Sequence, residues 1–317
     1  MAKVVFALLV VVLSGVVIRL LVSVLRGWMR CRCEARNRLL MRRATGELMQ
    51  QLLEDEFRPI SLERVVNGRW LLLGVCRRLG EMLYGYDGRL LMRHLLHFGV
   101  IDALLRRVAR QRGLRRAVAL QALADLPLPD GVAERVRPYL REDVREVRFA
   151  ALVVMLSLSP HEAIRLLADY EEPLTTCEVG EVLHQLRRAL LPIAYHPLLV
   201  SEHPNLKRLG LLLVYRFSIE EADEELLKMV DNPLDEELAL ASIYTLCALH
   251  RPLHRPLHRP VIRAYVERLT TAERRALMRR MAREGYAPSQ VAEVWNERQL
   301  LRYEQLVETY KGELVWS

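Results

Sequence analysis

The sequence predicts an all-α protein in which an N-terminal transmembrane helix precedes an α-solenoid of helical hairpins. Three observations support this prediction. Residues 4–25 form an apolar run of membrane length. Leucine, valine and alanine dominate the 51% hydrophobic content while aromatic residues make up only 6%, which favours helices over sheets. From about residue 90 onwards, a two-helix pattern recurs with a period of roughly 30 residues.

The apolar run carries no charge between Val4 and Ile18. Because a helix rises about 1.5 Å per residue, roughly 20 residues cross a bilayer core, and residues 4–25 are sufficient. Arg19 lies near the end of the span, where its side chain reaches the headgroups; a functional arginine inside the membrane is the alternative. A cleaved signal peptide also fits an apolar N-terminus, but no small-residue cleavage site follows and the next segment is rich in arginine.

The charges that flank the run predict its orientation. Only Lys3 and the amino terminus precede it, whereas a dense arginine cluster follows, so residues 1–3 are expected outside and the rest in the cytoplasm. The chain is therefore expected to be a single-pass protein of the cell (inner) membrane. Five irregularly spaced cysteines fit free thiols in a reducing compartment. The residues expected at the membrane interface are Arg19, Arg26, Trp28, Arg30 and Arg32.

Two segments connect the membrane span to the repeats. Residues 26–56 are expected to form a basic juxtamembrane helix whose leucine stripe either lies along the membrane or joins the cytoplasmic domain. Pro59 ends that helix, and residues 57–112 supply the N-terminal helices of the solenoid. The elements expected there are a helix over 62–83 capped by Ser61, a loop over 84–88, and helical residues 89–110 divided at Gly99.

The repeats occupy residues 113–270. Each copy starts a helix with an apolar anchor inside a charged sequence, and small residues such as Gly210 within that helix allow close approach of its neighbours. The anchors are Leu114, Val147, Leu206 and Leu238, with a degenerate copy at Val179. The partner helices are expected over 131–140, 160–170, 192–200, 219–230 and 259–269. This alternation is the signature of an α-solenoid.

Three stretches of these repeats resemble HEAT repeats. Within 226–238, a leucine-rich helix leads through an Asp-Asn-Pro turn into a second helix with an acidic start, and 141–151 and 203–208 are similar. The resemblance covers about residues 90–270 and implies an interaction scaffold whose second helices line a concave face. Gly180 and Ala239 depart from the family's pattern, in which a basic residue is usual, so a continuous basic ladder is in doubt.

The remaining basic residues are the candidate contacts. Arg115, Arg148 and Lys207 form a partial ladder, which either binds a partner or forms salt bridges to acids of neighbouring repeats. Residues 250–260 repeat His-Arg-Pro with a period of four, and their prolines favour an extended loop. This loop either contacts a partner or an anion, or it is only a loop lengthened by duplication of a short segment. The full set of candidate contacts is Arg115, Arg148, Lys207, Arg208, His254, Arg255, His258 and Arg259.

The end of the chain is expected to close the solenoid. Residues 271–317 predict two capping helices, over 272–284 and 289–309, joined by a turn at 285–288. Terminal helices of this kind shield the last repeat from solvent.

No motif with known chemistry occurs in the sequence. It contains no HExxH, no GxSxG, no glycine-rich phosphate loop and no Cys-x-x-Cys pair. His94 and His97 lie three residues apart without a third ligand, so they fit a partly buried pair better than a metal site. The acidic runs at 54–56 and 220–225 fit solvated surfaces or helix N-termini. We therefore expect no catalytic residue, no cofactor and no metal.

The expected function is that of a non-enzymatic scaffold or adaptor that is anchored in the membrane. It would bind a protein partner, expected to be another membrane protein, and regulate a membrane enzyme or an envelope process. One alternative is a HEAT-like enzyme acting on nucleic acid; HEAT-like DNA glycosylases use tryptophan and aspartate on a basic face, but the tryptophans here lie outside the clear repeats. The other alternative is a receptor for a small anionic signal that uses Arg115, Arg148 and Lys207.

Overall fold

A computed structural model describes residues 19, 23, 28, 32–65, 67–82, 88–188, 194–231, 236–249 and 260–314. In this part of the chain the regular structure consists of α-helices and short 3₁₀ turns, without a strand. The prediction of an all-α fold is confirmed at this level. The chain divides into two compact units, of which the first ends at Val154 and the second begins at Met155.

The first unit contains the basic helix, the helices that precede the repeats and the first helices of the repeats. Their bounds are α1 (32–54), α2 (Gly68–Met82), α3 (Arg89–His97), α4 (Val100–Arg110), α5 (Leu114–Ala124), α6 (Val132–Val136) and α7 (Arg145–Leu158), within which the units divide. A 3₁₀ turn over Arg137–Arg141 follows α6. The division of 89–110 into two helices is confirmed, because Gly99 has φ +62°, a left-handed conformation that favours glycine.

The second unit alternates short and long helices. Their bounds are α8 (Ala163–Ala168), α9 (Thr176–Arg188), α10 (Tyr195–Leu199), α11 (Pro204–Phe217), α12 (Asp223–Asp231), α13 (Glu236–Leu249), α14 (Pro260–Arg268), α15 (Thr271–Arg283) and α16 (Glu297–Leu314). Thr175 and Thr270 precede α9 and α15, and each exchanges hydrogen bonds with a glutamate three residues later. These reciprocal bonds satisfy amide groups at the helix start.

The anchor residues all lie in the first turn of a helix, as the repeated pattern predicts. They occupy α5, α7, α9, α11 and α13 in turn. Four of them, from Val147 to Leu238, are buried, whereas Leu114 is 65% exposed. The expected partner segments are also helical where the structure describes them, and they contain α6, α8, α10, α12 and α14.

In the second unit, each long helix packs against the next one. Helix α11 contacts α9 and α13, and α13 contacts α15, while α10 packs on α11 and α12 on α13. Gly210 permits the contact between α10 and α11, because a Cβ there would lie 2.9 Å from Leu199 Cδ2 and 3.1 Å from Leu198 Cβ. The expectation that small residues allow close approach is therefore confirmed at Gly210.

Two helices start later than the sequence predicts. Helix α2 begins at Gly68 rather than at residue 62, because residues 60–65 form turns and the Leu62 carbonyl packs against Gly68. Ser61 therefore does not cap it, and its backbone N–H instead donates to Glu47 Oε2 at 2.7 Å. Helix α16 begins at Glu297 rather than at residue 289, because the preceding segment turns to bury the Trp295 side chain.

The proposed membrane span lies outside the described residues, apart from Arg19 and Ser23, which are helical and exposed. Among the described helices, none is by itself long and apolar enough to cross a bilayer. Two consecutive helical segments, Arg145–Leu158 and Pro160–Ala168, are together long and apolar enough to span a bilayer, but the chain bends sharply between them. Helices in the core of a globular protein have the same length and composition, and α7 is largely buried. The expected loop at 84–87 and the His-Arg-Pro segment 250–259 also lie outside the described residues.

Candidate functional site

A groove in the second unit lies along the packed row of long helices. Its cavity has a volume of about 360 Å³, within the range in which proteins bind small ligands or side chains of a partner. Helices α9, α11, α13 and α15 all contribute to its walls. Each of these helices follows one of the short partner helices.

The floor of the groove is apolar. Leu211 and Leu238 are buried beneath it, and the smaller Ala241 leaves space between the larger side chains. The apolar residues that line the groove are Leu174, Val179, Leu211, Leu212, Leu238 and Ala241. A floor of this kind favours the burial of an apolar group of a ligand by about 25 cal/mol per Å².

Polar and aromatic side chains surround this floor. Arg208 Nη2 donates to Glu237 Oε2 at 2.9 Å, and this ion pair joins α11 to α13. Arg280 Nη2 contacts Glu284 Oε1 at 2.8 Å and donates to the Tyr215 hydroxyl at 3.1 Å. The Arg280 guanidinium also lies 5.5 Å from the centre of the Tyr215 ring. These contacts hold the arginines in place before any ligand binds.

Two features of the rim suit recognition of a polar group. The Nε atom of Arg280 is buried and has no hydrogen-bond partner among the described residues. Tyr244, also in the lining, is partly buried, and this burial raises the pKa of its hydroxyl, so it remains a neutral donor. The groove therefore combines an apolar floor with hydrogen-bond donors, an arrangement suited to binding.

The predicted contact residues do not gather at one place. Arg208 lines the groove, and the adjacent Lys207 is half-buried, which lowers the pKa of its ammonium group. Arg115 is exposed on α5 in the first unit. The other predicted contacts, His254, Arg255, His258 and Arg259, lie outside the described residues, as do Arg26 and Arg30 of the membrane-interface set.

Two salt bridges between repeats come from arginines that lie two residues after an anchor. Arg116 pairs with Glu142, and its Nε donates to the carbonyls of Val108 and Gln111. Arg208 occupies the equivalent position after Leu206 and pairs with Glu237. The ladder residue Arg148 donates to the carbonyls of Glu142 and Asp143, at 2.5 and 2.8 Å.

Arg116, Tyr215 and Arg280 were not among the residues predicted from the sequence. For Arg116 the signal was present, because it follows Leu114 at the spacing at which Arg208 follows Leu206. Tyr215 and Arg280 are separated by 65 residues, and no local pattern relates them. Trp70 lies beneath the Arg107 guanidinium and Trp295 is buried, so neither tryptophan lines the groove.

His94 and His97, which were expected to form a partly buried pair, differ in their exposure to solvent. His94 is fully buried, and burial lowers its pKa to about 4. Its Nε2 lies 2.9 Å from Gln51 Oε1, which also accepts from the Arg58 N–H, so the Nε2 atom of His94 is the donor. His97 is exposed, and its Nε2 lies 3.1 Å from Glu63 Oε1. Within the described part of the chain, no three metal-binding side chains converge.

The chain was compared with known protein families, curated proteins and solved structures. The chain matches no protein-family description, no curated protein and no solved structure.

Proposed function

We propose that this protein is a membrane-anchored scaffold that binds a protein partner through the groove on α9, α11, α13 and α15. Residues 4–25 are the proposed anchor, and the cytoplasm is the proposed location of the rest. The helices from α5 to α14 form, in this proposal, a HEAT-like solenoid, which α15 and α16 cap. The successive packing of the long helices in the second unit supports that assignment.

The groove is the observation that carries the proposal. Tyrosine and arginine are enriched among the residues that dominate binding energy at protein interfaces, and here both surround an apolar floor. Tyr215 is 42% exposed although its ring contacts Arg280, so it is available to a partner. A membrane anchor raises the local concentration of the groove near a partner in the same membrane.

The test is affinity capture of the full-length protein from gently solubilised membranes, with a groove variant and a matched control. The groove variant combines Leu212→Ala with Tyr215→Ala. The control is Phe217→Ala, because Phe217 is an exposed aromatic residue of the same helix, 55% exposed, outside the groove. We expect a partner whose recovery falls at least about tenfold in the groove variant and is unchanged in the control. Equal recovery in both variants contradicts the proposal.

A receptor for a small anion is the second candidate, and the site we propose for it is the groove rather than Arg115, Arg148 and Lys207. The observation in its favour is the buried Nε of Arg280. A rise in the melting temperature with a small carboxylate or phosphate, lost in Arg280→Gln but retained in Arg279→Gln, supports it. Arg279 is the appropriate control because it is exposed and outside the lining.

A further inference from the structure

Helix α1 has two faces with different surroundings. Ala44, Leu48 and Gln51 are buried and attach the helix to the first unit. On the opposite side, Leu39 is 66% exposed and Leu53 is 85% exposed. The helix thus joins the folded domain while leaving large apolar side chains uncovered.

The exposed residues form one continuous stripe. Positions 39, 42, 46, 49 and 53 follow one another at intervals of three or four residues, which places them on one side of a helix. Leu39, Met49 and Leu53 supply the apolar part of the stripe and Arg42 its charge. Exposed leucines at this spacing need a partner surface if they are to leave water.

The charge of α1 identifies the kind of surface. From 32 to 54 the helix carries five arginines and three glutamates, and none of the glutamates lies on the stripe. Glu34 contacts Arg38 at 3.6 Å, and Glu47 pairs with Arg43 at 3.0 Å and accepts the Ser61 N–H. The outer stripe is therefore apolar and basic, which is the composition of helices that lie in the surface of an anionic bilayer.

Trp28, which precedes α1, adds an exposed aromatic side chain next to an arginine. Trp28 is helical and 55% exposed, and the Arg32 guanidinium lies 4.3 Å from its ring centre. Tryptophan and arginine together suit the boundary between headgroups and acyl chains. A protein partner of matching chemistry would need an acidic, apolar groove, whereas a bilayer with anionic lipids presents both properties throughout its surface.

We propose that the outer stripe of α1 binds the surface of an anionic bilayer, with its apolar side chains at the headgroup boundary and Arg42 near lipid phosphates. The first unit would then be held against the membrane through α1. This inference deepens the membrane attachment in the proposed function, but it concerns a folded helix rather than the anchor at 4–25. It is independent of the groove and its partner.

The test uses full-length protein in lipid vesicles and a nitroxide label. Cys31, Cys33 and Cys177 are changed to serine, and the label is attached in Leu53→Cys. The matched control carries it in Val118→Cys, a 70% exposed residue of α5 in the same unit. Accessibility to oxygen and to a water-soluble nickel complex is measured in phosphatidylcholine vesicles, with and without roughly one third phosphatidylglycerol.

We expect the oxygen-to-nickel accessibility ratio at position 53 to rise at least about threefold in the anionic vesicles and to stay constant at position 118. Arg42→Glu should reduce the rise at position 53. Equal ratios at both positions in both vesicles would overturn the proposal. Resistance of the protein to carbonate extraction tests the membrane anchor, and affinity capture with the Tyr215 variant tests the groove. A failure of the stripe proposal can therefore be distinguished from a failure of the anchor or of the groove.

Discussion

Asn205 connects the start of α11 to the segment that precedes α9. Its Oδ1 accepts the Leu174 N–H at 2.8 Å, and its Nδ2 donates to the carbonyls of Tyr170 and Glu172 at 3.0 and 2.9 Å. The side chain is only 5% exposed, so water does not readily replace these bonds. Leu174 also lines the groove, and Asn205 therefore supports one of its walls.

Asn205→Ala is expected to lower the free energy of unfolding by about 2–4 kcal/mol, because it leaves three backbone groups without their partner. Thermal unfolding of the full-length protein in detergent measures the loss. His203→Ala, at an exposed residue two positions earlier, should change stability by no more than about 0.5 kcal/mol. Equal effects of the two substitutions would mean that the Asn205 bonds contribute little.

His94 makes stability depend on pH in a defined range. Burial lowers its pKa to about 4 from an ordinary value near 6.5, so the unfolded chain takes up a proton that the folded chain resists. Stability from His94 is complete above pH 6.5, falls as the pH decreases from 6.5 to 4, and levels off below 4.

We expect this fall to reach up to about 3 kcal/mol, and His94→Leu should remove it. Urea unfolding followed from pH 7.5 to 4 measures the slope in each protein. His161→Gln is the control, because His161 is exposed and belongs to the second unit, and it should retain the slope of the wild type. If His94→Leu keeps the same slope, another group is responsible.

The sequence does not predict which hydrogen-bond or ion-pair partner an individual side chain has. The repeated helix starts indicated which positions carry basic residues, and Arg208 does line the groove. They did not indicate that Arg148 bonds to carbonyls while Arg116 bridges to Glu142, because both contacts depend on the turn that precedes α7. Burial of His94 beside Phe57 likewise requires α1 and α3 to meet.

At the scale of helices, local sequence signals predicted most of the positions at which helices begin. Gly99 and the anchor residues identified helices α3 to α5 and the starts of α7, α9, α11 and α13. The starts of α2 and α16 were wrong because packing overrides helix propensity there. At α16, Asn296 accepts the Gln299 N–H at 3.0 Å, and Gln299 Oε1 accepts in return, a cap that an earlier start would lack.

Two glycines test the packing of the long helices. A Cβ at Gly210 would meet Leu199 and Leu198 at 2.9–3.2 Å, whereas a Cβ at Gly180 in α9 meets nothing within 4 Å. Gly180→Ala should stabilise the protein by about 0.5–1 kcal/mol through helix propensity. Gly210→Ala should be less stable than Gly180→Ala by about 1–3 kcal/mol, because overpacking opposes the same gain.

Chemical denaturation of both glycine variants alongside the wild type measures this difference. The paired design removes the common effect of glycine replacement, so the remaining difference reports the contact between α10 and α11. Equal stabilisation by both substitutions would show that the two helices separate at little cost.

At the scale of the whole chain, the repeated pattern indicated helices but not the side chains that line the groove. Three of the helices that carry the anchors, α9, α11 and α13, contribute to the groove together with α15, which was expected to cap the array. The rim of the groove depends on Tyr215 and Arg280, which meet only after α11, α13 and α15 have packed. Orientation in the membrane, by contrast, was predicted from charge alone, and the thiols of the described residues provide a way to measure it.

Cys177 is the reporter for this last prediction, because it is exposed in the first turn of α9. Cys76 and Cys247 are buried, and burial raises the pKa of each thiol to about 12, so they should react only after unfolding. In a full-length protein with Cys31 and Cys33 changed to serine, a membrane-impermeant maleimide should label Cys177 in opened cells but not in intact ones. Adding Cys177→Ser should abolish the labelling. Labelling in intact cells would instead place the second unit outside the cytoplasm and reverse the orientation that the arginine cluster predicts.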